Sequence, residues 1–338
     1  MNNILLEKLF EKNDLSVEEI ESLLNSCIHR ELNEIQMAGM LIGLRIKGET
    51  VEEILGLING MRKHSINFPA TQTAIDTCGT GGDGRGTFNI STTVAFVVAG
   101  AGVPVIKHGN RSASSKCGSA DVLSALGVSI MLSPEQAKKV FDSVRMMFLF
   151  APLYHPAMKR LAPVRKALET RTVFNFLGPF LNPANVKRQL IGIPSVALAE
   201  KLAKVATHLN YKYLLLVANE NGMDEIDLNE KSVAFEIKGK SIKKYVIDPQ
   251  KLGFKKSIFS EIKGGDEQKN ADILKEILTG EKGPKRDIVI LNSAYALLVS
   301  GIVQDIEAGI KLAEKSIDSG AGEHVLKTLI KETQKYAK

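Results

Sequence analysis

The sequence predicts an α/β protein in which a small all-helical N-terminal domain, residues 1–68, precedes a large α/β domain, residues 69–338, with a mainly parallel central sheet. Three observations predict it. The first 68 residues carry helix-start signals and apolar residues at three and four spacing, with no strand signal among them. Beyond them, short β-rich runs alternate with helical ones, as parallel α/β units require. Two polar, glycine-bearing loops then follow directly on two of the strands, at the carboxyl edge where open α/β sheets bind ligands. With 338 residues, 44% hydrophobic and 24% charged, the chain is long enough for one large core and a smaller module.

The elements follow in order. Ser16 with Glu19 and Thr50 with Glu53 read as capping boxes, the second leading into Ile54, Leu55, Ile58 and Met61. Asn67-Phe-Pro-Ala reads as a linker. A strand near Ala74 to Thr77 feeds the first loop, and a helix from about Ser91 to Ala99 leads to a strand at Val103 to Lys107, which ends on the second loop. A helix over about Ala120 to Ala125 precedes one opened by Ser133, Pro134 and Gln136, and Met147 to Phe150 forms the next strand. Between His155 and Asn182 a helical pattern rich in Pro, Arg and aromatic residues is expected to bring part of 156–190 back onto the N-terminal helices. Tyr213 to Ala218 is a buried strand, and Val233 to Ile237 with Ile242 to Ile247 reads as a hairpin around Gly239. The chain ends in helices, with Ile288 to Val299 apolar nearly all round and so buried.

Composition narrows the function. A net charge of +6 suits an anionic partner, but Lys and Arg are spread along the chain, so nucleic-acid binding through a basic surface is a poor reading. Three cysteines, Cys27, Cys78 and Cys117, stand in no metal-ligand spacing, and no signal peptide precedes the first amphipathic segment, so a reduced, cytoplasmic protein is expected. No apolar run approaches the ~20 residues that cross a bilayer, which excludes membrane insertion.

The first loop lies in Asp76-Thr-Cys-Gly-Thr-Gly-Gly-Asp-Gly-Arg-Gly-Thr-Phe-Asn-Ile-Ser-Thr92. Its glycines at 79, 81, 82, 84 and 86 leave few Cβ atoms to hold a ligand off the backbone, and Asn89 offers an N-cap to the helix that follows. It is neither Gly-x-Gly-x-x-Gly nor a nucleotide-triphosphatase loop, since no Lys-Ser/Thr follows its last glycine. A row of amide N–H groups, a helix start and hydroxyls at Thr80, Thr87, Ser91 and Thr92 suit a pyrophosphate. Lys107-His-Gly-Asn-Arg, followed by Ser112, Ser114 and Ser115, adds a cation and further donors; two anion-type loops on one sheet edge are hard to explain structurally. Asp224 and Glu225 follow a buried strand, and carboxylates with phosphate oxygens are what Mg²⁺ prefers. Paired acids commonly only decorate a surface; the pyrophosphate loops on the same edge favour the metal. Arg165 has few acids near it in sequence and is placed to clamp a carboxylate, its plain alternative being a surface ion pair. His108 and His155 are candidates for lining an aromatic or acidic ligand, whereas Cys78 and Cys117 read as buried fillers.

The set Gly79-Thr-Gly-Gly-Asp83, Asn89-Ile-Ser-Thr92, Lys107-His-Gly-Asn-Arg111, Phe150-Ala-Pro152, His155-Pro-Ala-Met158, Ala162-Pro-Val-Arg165, Asn175-Phe-Leu-Gly-Pro179, Asp224-Glu225 and Arg286-Asp287 resembles the anthranilate phosphoribosyltransferase family, of the nucleoside-phosphorylase-like class, nearly end to end. The resemblance implies a homodimer that transfers phosphoribose from phosphoribosyl pyrophosphate to the amine of anthranilate, in tryptophan synthesis. Carried over by position, it implies that Gly79, Gly82, Asp83, Thr87, Asn89, Ile90, Ser91 and Thr92 hold the ribosyl donor. Lys107, His108, Gly109, Asn110, Arg111, Ser112, Ala113, Ser114 and Ser115, with Ser119, complete that site. Ser91, Asp224 and Glu225 would hold two Mg²⁺ ions. Gly79, Asn110 and Arg165 match positions that meet anthranilate, with His108 and His155 as further candidates. This chain departs from the family with Val217-Ala-Asn219 where Val-His-Gly is usual, and with Cys117 in place of a common Ser. A pyrimidine nucleoside phosphorylase would share the fold, but Asn110 and Arg165 argue against it; a non-catalytic, nucleic-acid-binding relative would be expected to lose the acidic pair.

Overall fold

The structure, a computed structural model, describes residues 2–69, 71, 73–112 and 116–337. Four helices open the chain: α1 (Asn2–Phe10), α2 (Val17–Ile28), α3 (Glu34–Lys47) and α4 (Val51–Lys63). The two expected capping boxes form, and a third, Asn33 with Gln36, starts α3. A seven-stranded sheet follows, built from β1 (Ile75–Gly79), β2 (Val105–Gly109), β3 (Met146–Phe150), β4 (Arg188–Ile193), β5 (Tyr213–Ala218), β6 (Ser232–Lys238) and β7 (Ser241–Ile247). Its order is β3-β2-β1-β4-β5-β6-β7. The first five strands are parallel, while β6 and β7 are the expected antiparallel hairpin.

Strand β4, which the sequence reading does not name, lies at the centre between β1 and β5. It opens on Arg188 and Gln189 and carries Gly192, so its apolar run is short and broken. Gln189 is fully buried and uses its amide to bind Asp76 Oδ2 at 3.1 Å and the Pro179 carbonyl at 2.8 Å. Its polarity is internal, which is why a pattern of apolar residues underestimates this strand.

The sheet has helices on both faces. On one, α5 (Ile90–Gly100), α12 (Glu267–Leu278), α13 (Pro284–Ser300) and α15 (Ala321–Gln334) share a core with Ile75, Val105 and Leu215. On the other, Ile191, Ile193, Leu214 and Leu216 share a core with Ile20, Leu24, Met40 and Leu57 of the N-terminal helices. Helix α9 (Met158–Leu168) adds Leu161 and Val164 to that second core, and Arg160 donates to the Leu32 carbonyl at 3.3 Å. Among the described residues, no helix is long and apolar enough to cross a membrane.

Candidate active site

The strand order reverses between β1 and β4, and ligands bind at such a switch point, beyond the carboxyl ends of the strands. A cavity of about 1030 Å³ opens there. It is lined by the glycine loop, the Lys107 loop, the acidic pair and the stretch from His155 to Arg165, with Gly264 and Gly265 opposite. Segments far apart in sequence thus meet in one place.

The glycines of the first loop serve two different needs. Gly81, Gly82, Gly84 and Gly86 have φ of 75°, 70°, 73° and 70°, and at 81, 84 and 86 an added Cβ meets nothing, so backbone conformation requires them there. Gly79 is required by space, because a Cβ there would overlap the Asp224 carboxylate. Gly192, its paired residue on β4, is closed over by the Asp224 backbone. The loop is closed from beyond by residues 262–264: Phe88 N donates to Ile262 O at 3.3 Å and Gly264 N to Gly86 O at 2.9 Å. Asn89 precedes α5 as expected but makes no side-chain cap; its Nδ2 instead donates to the Cys117 carbonyl at 3.3 Å, joining the two loops.

Asp224 Oδ2 accepts from Gly81 N at 2.7 Å and Glu225 Oε1 from Ser91 N at 3.2 Å, so the acids are tied to the glycine loop and to the start of α5. Burial, then the charge of Asp83, pushes Asp224 up to about 7. Burial, then Asp224, pushes Glu225 well above the usual carboxylate range. Asp83 Oδ2 is buried without a partner among the described residues. Two adjacent buried acids, pushed further up by the charge of Asp83 nearby, supply part of a cation site. Among the described residues no three His, Cys, Asp or Glu side chains close on a cation by themselves, so the remaining ligands must be water or substrate oxygens.

Lys107 does not point freely into the cavity. It is buried, and its Nζ donates to the Thr77 carbonyl and, at 3.2 Å, to Ser91 Oγ. It supports the loop from beneath and supplies the nearby positive charge that opposes the upward push on Glu225 and Asp76. Arg111 turns to Asp121, with Nη1 to Oδ1 at 2.8 Å. Asp121 Oδ2 also accepts from Ser112 N at 3.0 Å and Gly118 N at 2.9 Å, which fastens both legs of the second loop. Sequence reasoning missed Asp121; its place three residues after Gly118 at a helix start was the available signal. Asn110, Ser112 and Ser119 line the cavity, whereas Ala113, Ser114 and Ser115 lie outside the described residues.

On the far wall, Arg165 stacks on Phe174 with 5.5 Å between guanidinium and ring centre. No carboxylate pairs with it among the described residues, and burial lowers its pKa. His108 and His155 meet edge to face at 5.1 Å, and burial drops them to about 3 and about 4, so both are neutral at pH 7. A guanidinium with no carboxylate partner among the described residues, in a cavity also lined by neutral His108 and His155, suits an aromatic acid. The same histidines carry a stability prediction. The unfolded chain takes up their protons near pH 6.5, the folded chain only near 3–4, so their contribution is complete above 6.5 and is lost as pH falls through that window. His108→Phe with His155→Phe is therefore expected to flatten the fall in Tm between pH 6.5 and 4, measured by thermal melts in matched buffers.

Fold and site define a glycosyl transferase. Residues 71–323 match the glycosyl transferase family α/β domain and residues 3–65 the helical bundle domain of that family. The chain is 45% identical over 325 residues to an anthranilate phosphoribosyltransferase of Dehalococcoides mccartyi, covering 96% of this chain and 95% of the relative. It superposes on the anthranilate phosphoribosyltransferase of Thermus thermophilus with a TM-score of 0.91 at 34% identity, covering 98% of this chain and 99% of the other. The Saccharomyces cerevisiae enzyme in complex with phosphoribosyl pyrophosphate and magnesium gives the same TM-score at 28% identity, over 99% and 98%. The chain belongs to the anthranilate phosphoribosyltransferase family.

Proposed function

We infer that this chain transfers 5-phosphoribose from phosphoribosyl pyrophosphate to the amine of anthranilate, releasing pyrophosphate, as a step of tryptophan biosynthesis. The observation that carries the reading is the convergence of the glycine loop, the Lys107 loop and the acidic pair on one cavity that also holds Arg165, which has no carboxylate partner among the described residues. Cleavage of the C1–O bond puts positive charge on the sugar and negative charge on the departing pyrophosphate, so leaving-group stabilisation dominates. The glycine loop and the start of α5 line the cavity in which that charge develops, and Lys107 keeps Ser91 and the Thr77 carbonyl in register beside it. Bound Mg²⁺, held by Asp224, Glu225 and Ser91 together with substrate oxygens, supplies further charge neutralisation. An aromatic amine is uncharged at pH 7 and needs no strong base, in keeping with neutral His108 and His155.

Arg165 receives the anthranilate carboxylate, Asn110 lies toward its amine, and Gly79 is a further anthranilate contact. Gly82, Asp83, Thr87, Asn89, Ile90, Thr92, Arg111, Ser112 and Ser119 surround the ribosyl donor, and the family resemblance adds Ala113, Ser114 and Ser115, which lie outside the described residues. Two metal ions per site suit the two carboxylates, the Ser91 hydroxyl and the pyrophosphate oxygens. The division at 68/69 makes the helical part, with α9 packed on it, the dimerisation unit, and Ile4, Phe10, Ile35 and Ile46 on α1 and α3 are exposed apolar side chains that a second copy would cover. Three free cysteines fit the cytoplasm.

The test is loss of anthranilate fluorescence, which is expected only when both the ribosyl donor and Mg²⁺ are present; loss without the donor would overturn the reading. Arg165→Ala is expected to raise the KM for anthranilate about tenfold or more, since a charge-assisted hydrogen bond contributes roughly 1.5–3 kcal/mol, with the donor KM within about twofold. Equal effects on both constants would remove the clamp.

A further inference from the structure

The acidic pair lies in the connection from β5 to β6, and two asparagines outside the cavity fix its backbone. Asn219, one residue beyond β5, is buried. Its Nδ2 donates to the Met223 carbonyl at 2.9 Å and to the Glu225 carbonyl at 2.6 Å, while Ser232 Oγ donates to its Oδ1. Both amide protons are used, and the reversed amide would turn an oxygen on two carbonyls, so the orientation is determined. Asn292 on α13 meets the next residue: its Oδ1 accepts from Ile226 N at 2.9 Å and its Nδ2 donates to Ile226 O at 2.9 Å. Glu225 is therefore held through its own carbonyl on one side and through both backbone groups of its neighbour on the other. Neither asparagine lines the cavity.

We propose that Asn219 is a positioning residue for the metal-holding pair Asp224 and Glu225, with Ser232 orienting it and Asn292 as its counterpart. This rests on the reading that the pair holds the cation. Without the Asn219 amide, the carbonyls of Met223 and Glu225 and the Ser232 hydroxyl lose their partners in a buried place, and the loop shifts to regain them. Groups that orient a metal's ligands typically govern affinity by 10–100-fold, so the effect falls on cation binding and leaves the anthranilate wall untouched.

The experiment titrates Mn²⁺ into the full chain with inorganic pyrophosphate present, followed by electron paramagnetic resonance, beside steady-state kinetics and thermal melts. Asn219→Asp, which turns an oxygen on both carbonyls, is expected to raise the Mn²⁺ Kd about tenfold with anthranilate KM within about twofold. Ser232→Ala, which removes only the orienting hydroxyl, is expected to raise the Kd about threefold, and it decides alone if Asn219→Asp does not fold. Parent-like Kd in the folded variants would overturn the proposal, whatever their Tm. Asp224→Asn with Glu225→Gln separates the two levels: loss of Mn²⁺ binding there with none lost at Asn219 rejects the positioning role alone, and parent-like Kd there rejects the metal reading beneath it.

Discussion

Asp224→Asn with Glu225→Gln is expected to lower kcat/KM about a thousandfold, the scale on which charge stabilisation of a leaving group acts, while the chain stays folded. The amide oxygens can still accept from Gly81 N and Ser91 N, so the two hydrogen bonds that seat the segment survive the change. What goes is negative charge. In the unliganded chain that charge is costly, since burial and mutual repulsion push both acids toward the protonated form. The variant is therefore expected to melt higher than the parent in metal-free buffer at pH 8. Magnesium plus pyrophosphate should raise the parent's Tm and leave that of the variant nearly unchanged. Parent-like turnover in Mg²⁺ would mean that these acids do not hold the cation. A variant that is both slower and less stable would point to a structural role.

Much of this site is legible in the sequence because much of it is local. The boxes at Ser16 and Thr50 and the hairpin around Gly239 are set by residues within three or four positions of each other, and they form as expected. The glycine loop announces itself because four of its glycines need positive φ, a demand written in composition. Harder to read are residues whose partners arrive from far along the chain. Lys107 looks like a free cation until β1 brings the Thr77 carbonyl above it, and Arg111 looks free until Asp121 takes its guanidinium. Asn89 looks like an N-cap, but Cys117, 28 residues on, claims its side chain. Gly192 gave no signal at all: it sits in a strand that polar Gln189 disguises, and the reason for it is Asp224. Asn219 was visible only as a departure from the family pattern, without the hydrogen bonds that give it a use.

Gly192→Ala is expected to lower turnover about a hundredfold or more, with a smaller loss of stability. Gly192 faces Gly79 in register at the carboxyl ends of β4 and β1, and the Asp224 backbone lies directly on it. Its φ is not in the left-handed region, so alanine meets no conformational penalty there; the whole effect is steric. Because the obstructing atoms are backbone, no side-chain rotation can make room, and the segment bearing both acids must lift off the sheet edge. Overpacking of this kind costs about 1–3 kcal/mol, which a chain of this size survives, but misplacing charged groups by an ångström has a far larger effect on rate. Gly239→Ala, in the β6–β7 turn outside the cavity, is the informative comparison: its φ is +60° and a Cβ there meets nothing, so it should cost roughly 1–2 kcal/mol of backbone strain while leaving the acids in place. Kinetics and thermal melts on the two variants therefore should diverge, Gly192→Ala losing far more turnover for a similar change in Tm. If Gly192→Ala turns over like the parent, the contact between the acid segment and the sheet edge is not what sets the metal-holding geometry.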